Sequence, residues 1–312
     1  MQIKQKLDYP IWKTPYFCIV GLFVFVKLVK AGALTLLINK QFFNKKINLA
    51  LKFFNLIFYR DNKEEVGKKL LSCLIDLGPG YIKFGQALST RPDLVDKRTC
   101  QYLKKLQDDI EPFSSSIAKK IIETESQNLI DNIFSSFDEK PIANASVAQV
   151  HTAILKSGET VAVKILKPNI QKNLFNDFIF FYWASKCFEI AIPSIKRLKL
   201  SKNVEVLSEV SLNELDLTLE ASAAEELSEN FKDNPNYKVP KIYWELTSKN
   251  MLVLEYIKGI RIDDVDALKK ANHNIKKITE IGTEVFFLQV FRDGFFHGDM
   301  HPGNILINPK GV

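Results

Sequence analysis

Between residues 145 and 166 the chain changes its hydrophobic rhythm, and this limits the fold more than any other stretch. Ala145 to Leu155 and Thr160 to Leu166 have the alternating, β-branched texture of strands, and only Lys156-Ser157-Gly158-Glu159 separates them. A connection that short, with a glycine in it, predicts an antiparallel hairpin. Upstream, residues 64–135 read as helices. Val66, Leu70, Leu71, Leu74 and Ile75 recur at helical spacing, and Leu77-Gly78-Pro79-Gly80 stops that helix. Residues 81–89 and 99–107 give two more amphipathic segments, and Ser114-Ser115-Ser116 offers caps for the next. The pattern turns to strand near Pro141. Further on, 170–190 and 203–231 read as helical, 242–246 and 251–257 as strands, 272–292 as a long helix and 293–304 as a loop. Helices, a small strand-rich layer, then helices is an α+β order.

The net charge of +7 is unevenly placed. Residues 1–60 carry ten Lys/Arg against one acid, Asp8, whereas the remaining 252 residues are close to neutral. The basic segment is also apolar: Tyr16 to Val26 is uncharged, and Lys27 and Lys30 precede a second apolar run from Ala31 to Ile38. Two lysines near the centre of a spanning helix would each cost about 2.5–3.5 kcal/mol. A cleaved signal peptide is disfavoured by the same interruption. An interfacial helix fits, with Lys27 and Lys30 on one face. A helix packed on the protein's own body is the plainer reading. The basic, aromatic, acid-poor composition favours an anionic membrane surface. Nucleic acid is not expected, because the basic residues are interleaved with Leu, Ile and Phe instead of forming a polar stripe. Cys18, Cys73, Cys100 and Cys187 are widely spread without a CxxC, as expected of unremarkable thiols in a reducing compartment.

Two motifs carry chemistry. His297-Gly298-Asp299-Met300-His301-Pro302-Gly303-Asn304 contains D-x-x-x-x-N, the spacing of a kinase catalytic loop, where the Asp orients the nucleophile and the Asn holds magnesium. The same residues offer an alternative: His297, Asp299 and His301 as H-x-D-x-H, a metal-hydrolase site. Val161-Ala162-Val163-Lys164-Ile165 places Lys164 on one strand face opposite Val161, Val163 and Ile165, as in the V-A-I-K element of kinases. No glycine-rich loop precedes it. The stretch from Pro141 to His151 has no glycine, and every Cβ limits backbone approach to a phosphate.

The chain resembles the UbiB (AarF/ADCK) family of atypical protein-kinase-like proteins. The alanine-rich loop Ala143-Asn144-Ala145-Ser146 matches that family's A-x-A-S, and Lys83-Phe84-Gly85-Gln86 its K-x-G-Q signature. Ser89 to Leu94, Leu106-Gln107-Asp108, Glu214-Leu215-Asp216 with Glu220-Ala221, and the hinge-like Leu252-Val253-Leu254-Glu255-Tyr256 follow in the family's order. The resemblance implies a bilobal kinase-like fold. Residues 1–60 would be a basic helical segment and 61–140 a helical extension. Residues 141–257 would form the small lobe, and 258–312 the start of the large lobe. It implies ATP or ADP with magnesium as ligands. Ala143, Asn144, Ala145, Ser146, Lys164, Glu255 and Ile257 would contact the nucleotide, Asp299 would be catalytic and Asn304 a magnesium ligand. Glu214 or Glu220 would pair with Lys164, and Lys83, Gly85 and Gln86 would cover the active site. It further implies ubiquinone biosynthesis, with a quinone or isoprenoid lipid and the biosynthetic enzymes as partners. The place would be peripheral, on the cytoplasmic face of an inner or organellar membrane.

One departure stands out. Eight residues follow Asn304 and none is acidic, so the family's D-F-G-type carboxylate and the rest of the large lobe are not among them. The expectation is an incomplete large lobe and impaired catalysis. A non-catalytic scaffold binding nucleotide, lipid or biosynthetic partners is the competing role.

Overall fold

A computed structural model describes residues 7, 13–38, 45–58, 66–107, 111–298 and 302–312. Helices come first: α1 (Thr14–Lys30), α2 (Ala33–Leu37), α3 (Lys45–Phe58), α4 (Val66–Leu77), α5 (Pro79–Ser89), α6 (Lys97–Leu103), α7 (Ser115–Ser126) and α8 (Ile130–Ile133). Four strands follow, β1 (Phe134–Phe137), β2 (Ala143–Asn144), β3 (Ala148–Leu155) and β4 (Thr160–Leu166), and then α9 (Ile170–Ala191), α10 (Leu200–Asn213) and α11 (Leu217–Asn230). The chain continues through β5 (Met251–Glu255), β6 (Ile260–Arg261), α12 (Val265–Lys270), α13 (Ile275–Phe287) and β7 (Leu306–Ile307). This is an α+β, kinase-like fold. The chain divides into two compact units. One holds residues up to Phe113 with Ala143–Gln149 and Leu166–Leu215; the other holds Ser114–Ile142, Val150–Ile165 and Asp216 onward.

The first unit is helical. Its core joins Phe17 and Val24 of α1 to Leu70 and Leu74 of α4, Tyr81 and Ile82 of α5, Leu103, Leu106, and Phe180 and Trp183 of α9. Helix α1 therefore packs on the body along one face, as the plainer reading of the basic segment expects. Its other face leaves Tyr16, Ile19, Leu22 and Phe23 exposed. Among the described residues no helix is long and apolar enough to cross a membrane. Gly78 takes a left-handed φ of 119° between α4 and α5, where Pro79 opens the new helix without needing an N–H.

The second unit holds β1, β5 and most of β3 and β4, in the sheet order β1-β3-β4-β5. Strands β4 and β5 are antiparallel, with Lys164 opposite Leu252 and Val161 opposite Glu255. The β3–β4 turn uses Gly158 at a φ of 92°, as a short hairpin requires. Its apolar residues Val161, Val163, Ile165, Met251 and Val253 are fully or almost fully buried. A separate two-stranded sheet pairs β6 with β7.

Several boundaries differ from the sequence reading. Residues 242–246 are not a strand. Ile242 makes one isolated bridge to Leu254, and Trp244–Leu246 curl into a 3-10 turn closed by Thr247 Oγ1 on the Tyr243 carbonyl. The 203–231 segment breaks at Glu214-Leu215-Asp216, because the Asp216 carboxylate accepts the Thr218 N–H and starts a fresh helix. Strand begins at Phe134, not near Pro141, and the long helix starts at Ile275 behind the Asn274 cap. Ser114 sits at the N-cap of α7 as read, but its hydroxyl bonds Ser116 Oγ instead of a backbone N–H. The boundary expected between residues 60 and 61 lies outside the described residues.

Candidate functional site

Lys164 is presented by the middle of β4 and caught by α11. Its Nζ donates to both oxygens of Glu220, at 2.8 and 2.7 Å. Glu220 lies in the first turn of α11, and that turn is fixed twice. Asp216 caps it through the Thr218 N–H and hydroxyl, and the Leu217 N–H donates to the Lys249 carbonyl at 3.0 Å. Leu217 and Ala221 bury the opposite face of the turn. The pair is partly solvated, so by itself it adds no more than about 1 kcal/mol to stability. What it does is hold the ammonium in place. A lysine has three N–H donors, and two are spent on Glu220, which leaves one for a further oxygen.

The far end of α11 reaches the loop motif. Arg292 NH2 donates to the Asn230 carbonyl at 2.8 Å, and its guanidinium lies 4.9 Å from the Phe231 ring centre. Arg292 belongs to a π-helical turn, Leu288–Asp293, that ends α13 and stops at Gly294 with a φ of 63°. Such turns widen a helix by one residue per turn and redirect side chains. Here the fully buried Gln289 accepts the His297 N–H on its Oε1 at 2.9 Å, and its carbonyl accepts the Phe295 N–H. The entrance to the loop is thus pinned from beneath. Its exit is pinned by pairing: Asn304 ends a 3-10 turn, Ile305 accepts the Ile262 N–H, and β7 pairs with β6. Gly259 is required there, since a Cβ would lie 2.9 Å from the Ile307 carbonyl oxygen. Asp299 and His301 lie outside the described residues, and so do two of the three members of the alternative H-x-D-x-H set. Among the described residues no cluster of His, Cys, Asp and Glu could hold a metal.

Glu255 ends β5 opposite Val161; its carboxylate pairs with Lys238 and accepts the Lys241 N–H at 3.3 Å. Ile257 lies in the irregular segment between β5 and β6.

In the first unit, each residue of Lys83-Phe84-Gly85-Gln86 has a defined contact on α5. Lys83 is nearly buried and its Nζ pairs with Glu214, the residue that ends α10. Gly85 packs against the leucines of the core, and Gln86 Nε2 donates to the Leu106 carbonyl at 2.9 Å. The two acids that could have served Lys164 are therefore sorted by the helix break between them: Glu220 takes Lys164 and Glu214 takes Lys83. Glu214→Ala strands a nearly buried ammonium and lowers stability in urea unfolding by about 1–3 kcal/mol. Lys83→Met with Glu214→Leu should lose much less than the two single changes together. Additive losses would show that the pair carries no coupling.

The alanine-rich loop closes without any left-handed residue. The Ala145 N–H donates to the Ala148 carbonyl, and the Lys167 N–H to the Val147 carbonyl, both at 2.8 Å. Ser146 and Val147 are buried, and the Asn144 Oδ1 is buried without a hydrogen-bond partner. Sequence reasoning missed Gln289, Arg292 and also Gln149. The last is a fully buried strand residue whose amide accepts the Phe113 N–H at 3.1 Å and donates to the Phe113 carbonyl at 3.4 Å. A polar residue inside an apolar run was the available signal in each glutamine.

A family model described as the ABC1 atypical kinase-like domain matches residues 105–312. Among curated proteins, "Probable protein kinase UbiB" of Aliivibrio fischeri is 42% identical over 257 residues, covering 81% of this chain and 47% of the relative. The protein of the same name from Shewanella woodyi is 44% identical over 249 residues, covering 79% and 45%. That of Pseudomonas aeruginosa is 41% identical over 244, covering 78% and 46%. The chain spans about half the length of the curated relatives it matches. Among solved structures, one described as the complex of Rv3197 with erythromycin from Mycobacterium tuberculosis aligns with a TM-score of 0.51 at 26% identity. It covers 86% of this chain and 65% of that one.

Proposed function

The chain belongs to the UbiB family of ABC1 atypical kinase-like proteins, and from that premise we propose that it binds ATP or ADP with magnesium and serves ubiquinone biosynthesis. The observation that carries this reading is the Lys164–Glu220 pair, in which a strand-borne ammonium is oriented by both carboxylate oxygens and keeps one donor for a phosphate oxygen. Magnesium would take an oxygen of Asn304 and the nucleotide phosphates. It would supply charge to the phosphate oxygens, while Asp299 would orient an attacking hydroxyl. The tie from α11 through Arg292 to the Gln289-pinned loop would keep the lysine and that loop in a fixed relation.

Thermal shift tests the reading. ADP or ATP with magnesium at about a hundred times its dissociation constant should stabilise the chain by about 2.7 kcal/mol. Lys164→Ala should weaken binding about tenfold or more, since a charge-assisted hydrogen bond is lost, and Glu220→Gln should weaken it less. Absence of any nucleotide shift in the unaltered chain, or a full shift in Lys164→Ala, would remove the assignment.

A further inference from the structure

Helix α1 meets α9 at close quarters in the core of the first unit. The Phe17 ring centre lies 5.6 Å from that of Trp183 and 6.3 Å from that of Phe180, so the start of α1 leans toward the later part of α9. Gly21, one turn further along α1, puts no side chain into the contact; a Cβ there would lie 3.7 Å from both the Phe180 and the Trp183 rings. Two cysteines flank this meeting point. Cys18 precedes Gly21 by three residues and Cys187 follows Trp183 by four, so each stands one helical turn from the shared contact. Both are exposed, whereas Cys73 and Cys100 are buried. The two thiols also sense one another: the Cys187 thiol is raised above its ordinary pKa, first by partial burial and then by the charge that Cys18 would carry.

We propose that Cys18 and Cys187 are a redox modification site, at which a small-molecule disulfide such as oxidised glutathione closes the two thiols into a reversible disulfide that staples α1 to α9. The inference is independent of nucleotide binding. One cysteine thiolate attacks a sulfur of oxidised glutathione; that S–S bond breaks, a mixed disulfide forms and one glutathione thiolate leaves. The other cysteine thiolate then attacks the protein sulfur of the mixed disulfide and expels the second glutathione. Two protein thiols are oxidised, one glutathione disulfide is reduced, and the two thiol protons pass to the leaving thiolates. A disulfide needs its Cα atoms within about 7 Å, and a glycine at the contact lets two helix backbones approach toward that range. The other two thiols are shielded: Cys73 is buried on α4, and the buried Cys100 directs its Sγ to the Leu88 carbonyl at 3.7 Å. Helix α1 is held in this core by one face, through Phe17 and Val24. A covalent link beside that face fixes the helix to the body and closes a long loop, which restricts the unfolded chain more than a short one does.

The test is incubation of the full, freshly reduced chain with oxidised glutathione, followed by non-reducing peptide mapping in a mass spectrometer and by thermal unfolding. A linked pair of peptides carrying Cys18 and Cys187 should appear in the monomer and vanish on treatment with dithiothreitol. It should form up to about tenfold faster at pH 8.5 than at pH 7.5, because only the thiolate attacks and the Cys187 thiol is raised. The linked chain should melt about 3–6 °C above the reduced one. Cys18→Ser and Cys187→Ser should each stop the reaction at the mixed disulfide with glutathione. Because both positions are exposed, each reduced variant should melt within about a degree of the unaltered reduced chain. A link through Cys73 or Cys100, a disulfide between two chains, glutathione retained on both Cys18 and Cys187 without closure, or no reaction at either thiol would overturn the proposal.

Discussion

Gly85→Val should lower the melting temperature by about 4–6 °C, corresponding to roughly 3 kcal/mol of overpacking. A Cβ at Gly85 would lie 2.4 Å from Leu106 Cδ1 and 2.7 Å from Leu74 Cδ1. Those leucines are almost fully buried in the core shared by α4, α5 and α9, so they have little space to retreat into. Moving Leu106 would also strain the bond its carbonyl accepts from Gln86. Gly282 gives the contrast. It is also a helical glycine, inside α13, but a Cβ there meets nothing within 4 Å. Gly282→Ala should therefore stabilise the chain by about 0.8–1 kcal/mol through helix propensity alone. Differential scanning calorimetry on both variants decides the matter. A Gly85→Val melting point within about a degree of the original would mean that the core relaxes around the added methyls.

The hairpin and the strand lysine were legible because their signal is local. Period-two alternation and a glycine turn set β3 and β4 without help from the rest of the chain. The helical extension was legible for the same reason, at the level of which segments are helical. What was not legible depended on contacts distant in sequence. Nothing in the sequence distinguishes Glu214 from Glu220 as a partner for Lys164; the choice is made by the Asp216 cap, which ends one helix and begins the next between them. The long helix reads as continuous through Arg292, yet its last turn is π-helical, and the reason is Gln289, a polar residue buried to hold the His297 N–H. Helical periodicity treats that glutamine as an error in the apolar face. The three-dimensional reading makes it the support of the loop. The contrast extends to Lys83, which an isolated sequence would place on an exposed helix face and which is nearly buried against Glu214.

Asp177 makes the last prediction, and two opposing effects on one carboxyl decide its sign. It lies on α9 and reaches across to α5, accepting the Gly80 N–H on Oδ2 at 2.9 Å; a Cβ at Gly80 would lie 2.4 Å from the Asp177 Cβ, so the helices meet there without a side chain between them. The start of a helix favours a carboxylate by about 0.3–1 kcal/mol, through its unsatisfied N–H groups. Burial among Tyr81 and its apolar neighbours disfavours the charge, and burial wins: the Asp177 pKa is pushed from 3.8 to about 6, with the Gly80 N–H pulling in the other direction. Below about pH 4 the folded and unfolded chains both hold the proton, and the full stability is present. Between pH 4 and 6 the unfolded chain has released it and the folded chain has not, so stability falls as pH rises, and by pH 7 the loss levels off at about 3 kcal/mol. An asparagine side chain in that place would keep an oxygen for the Gly80 N–H and have no proton to lose. Asp177→Asn should therefore match the unaltered chain near pH 4 and exceed it by about 2–3 kcal/mol in urea unfolding at pH 7.5. If the helix terminus instead dominates, the asparagine variant will be the less stable of the two at pH 7.5, and the carboxylate will have to be regarded as a charged cap for the helix that carries Lys83.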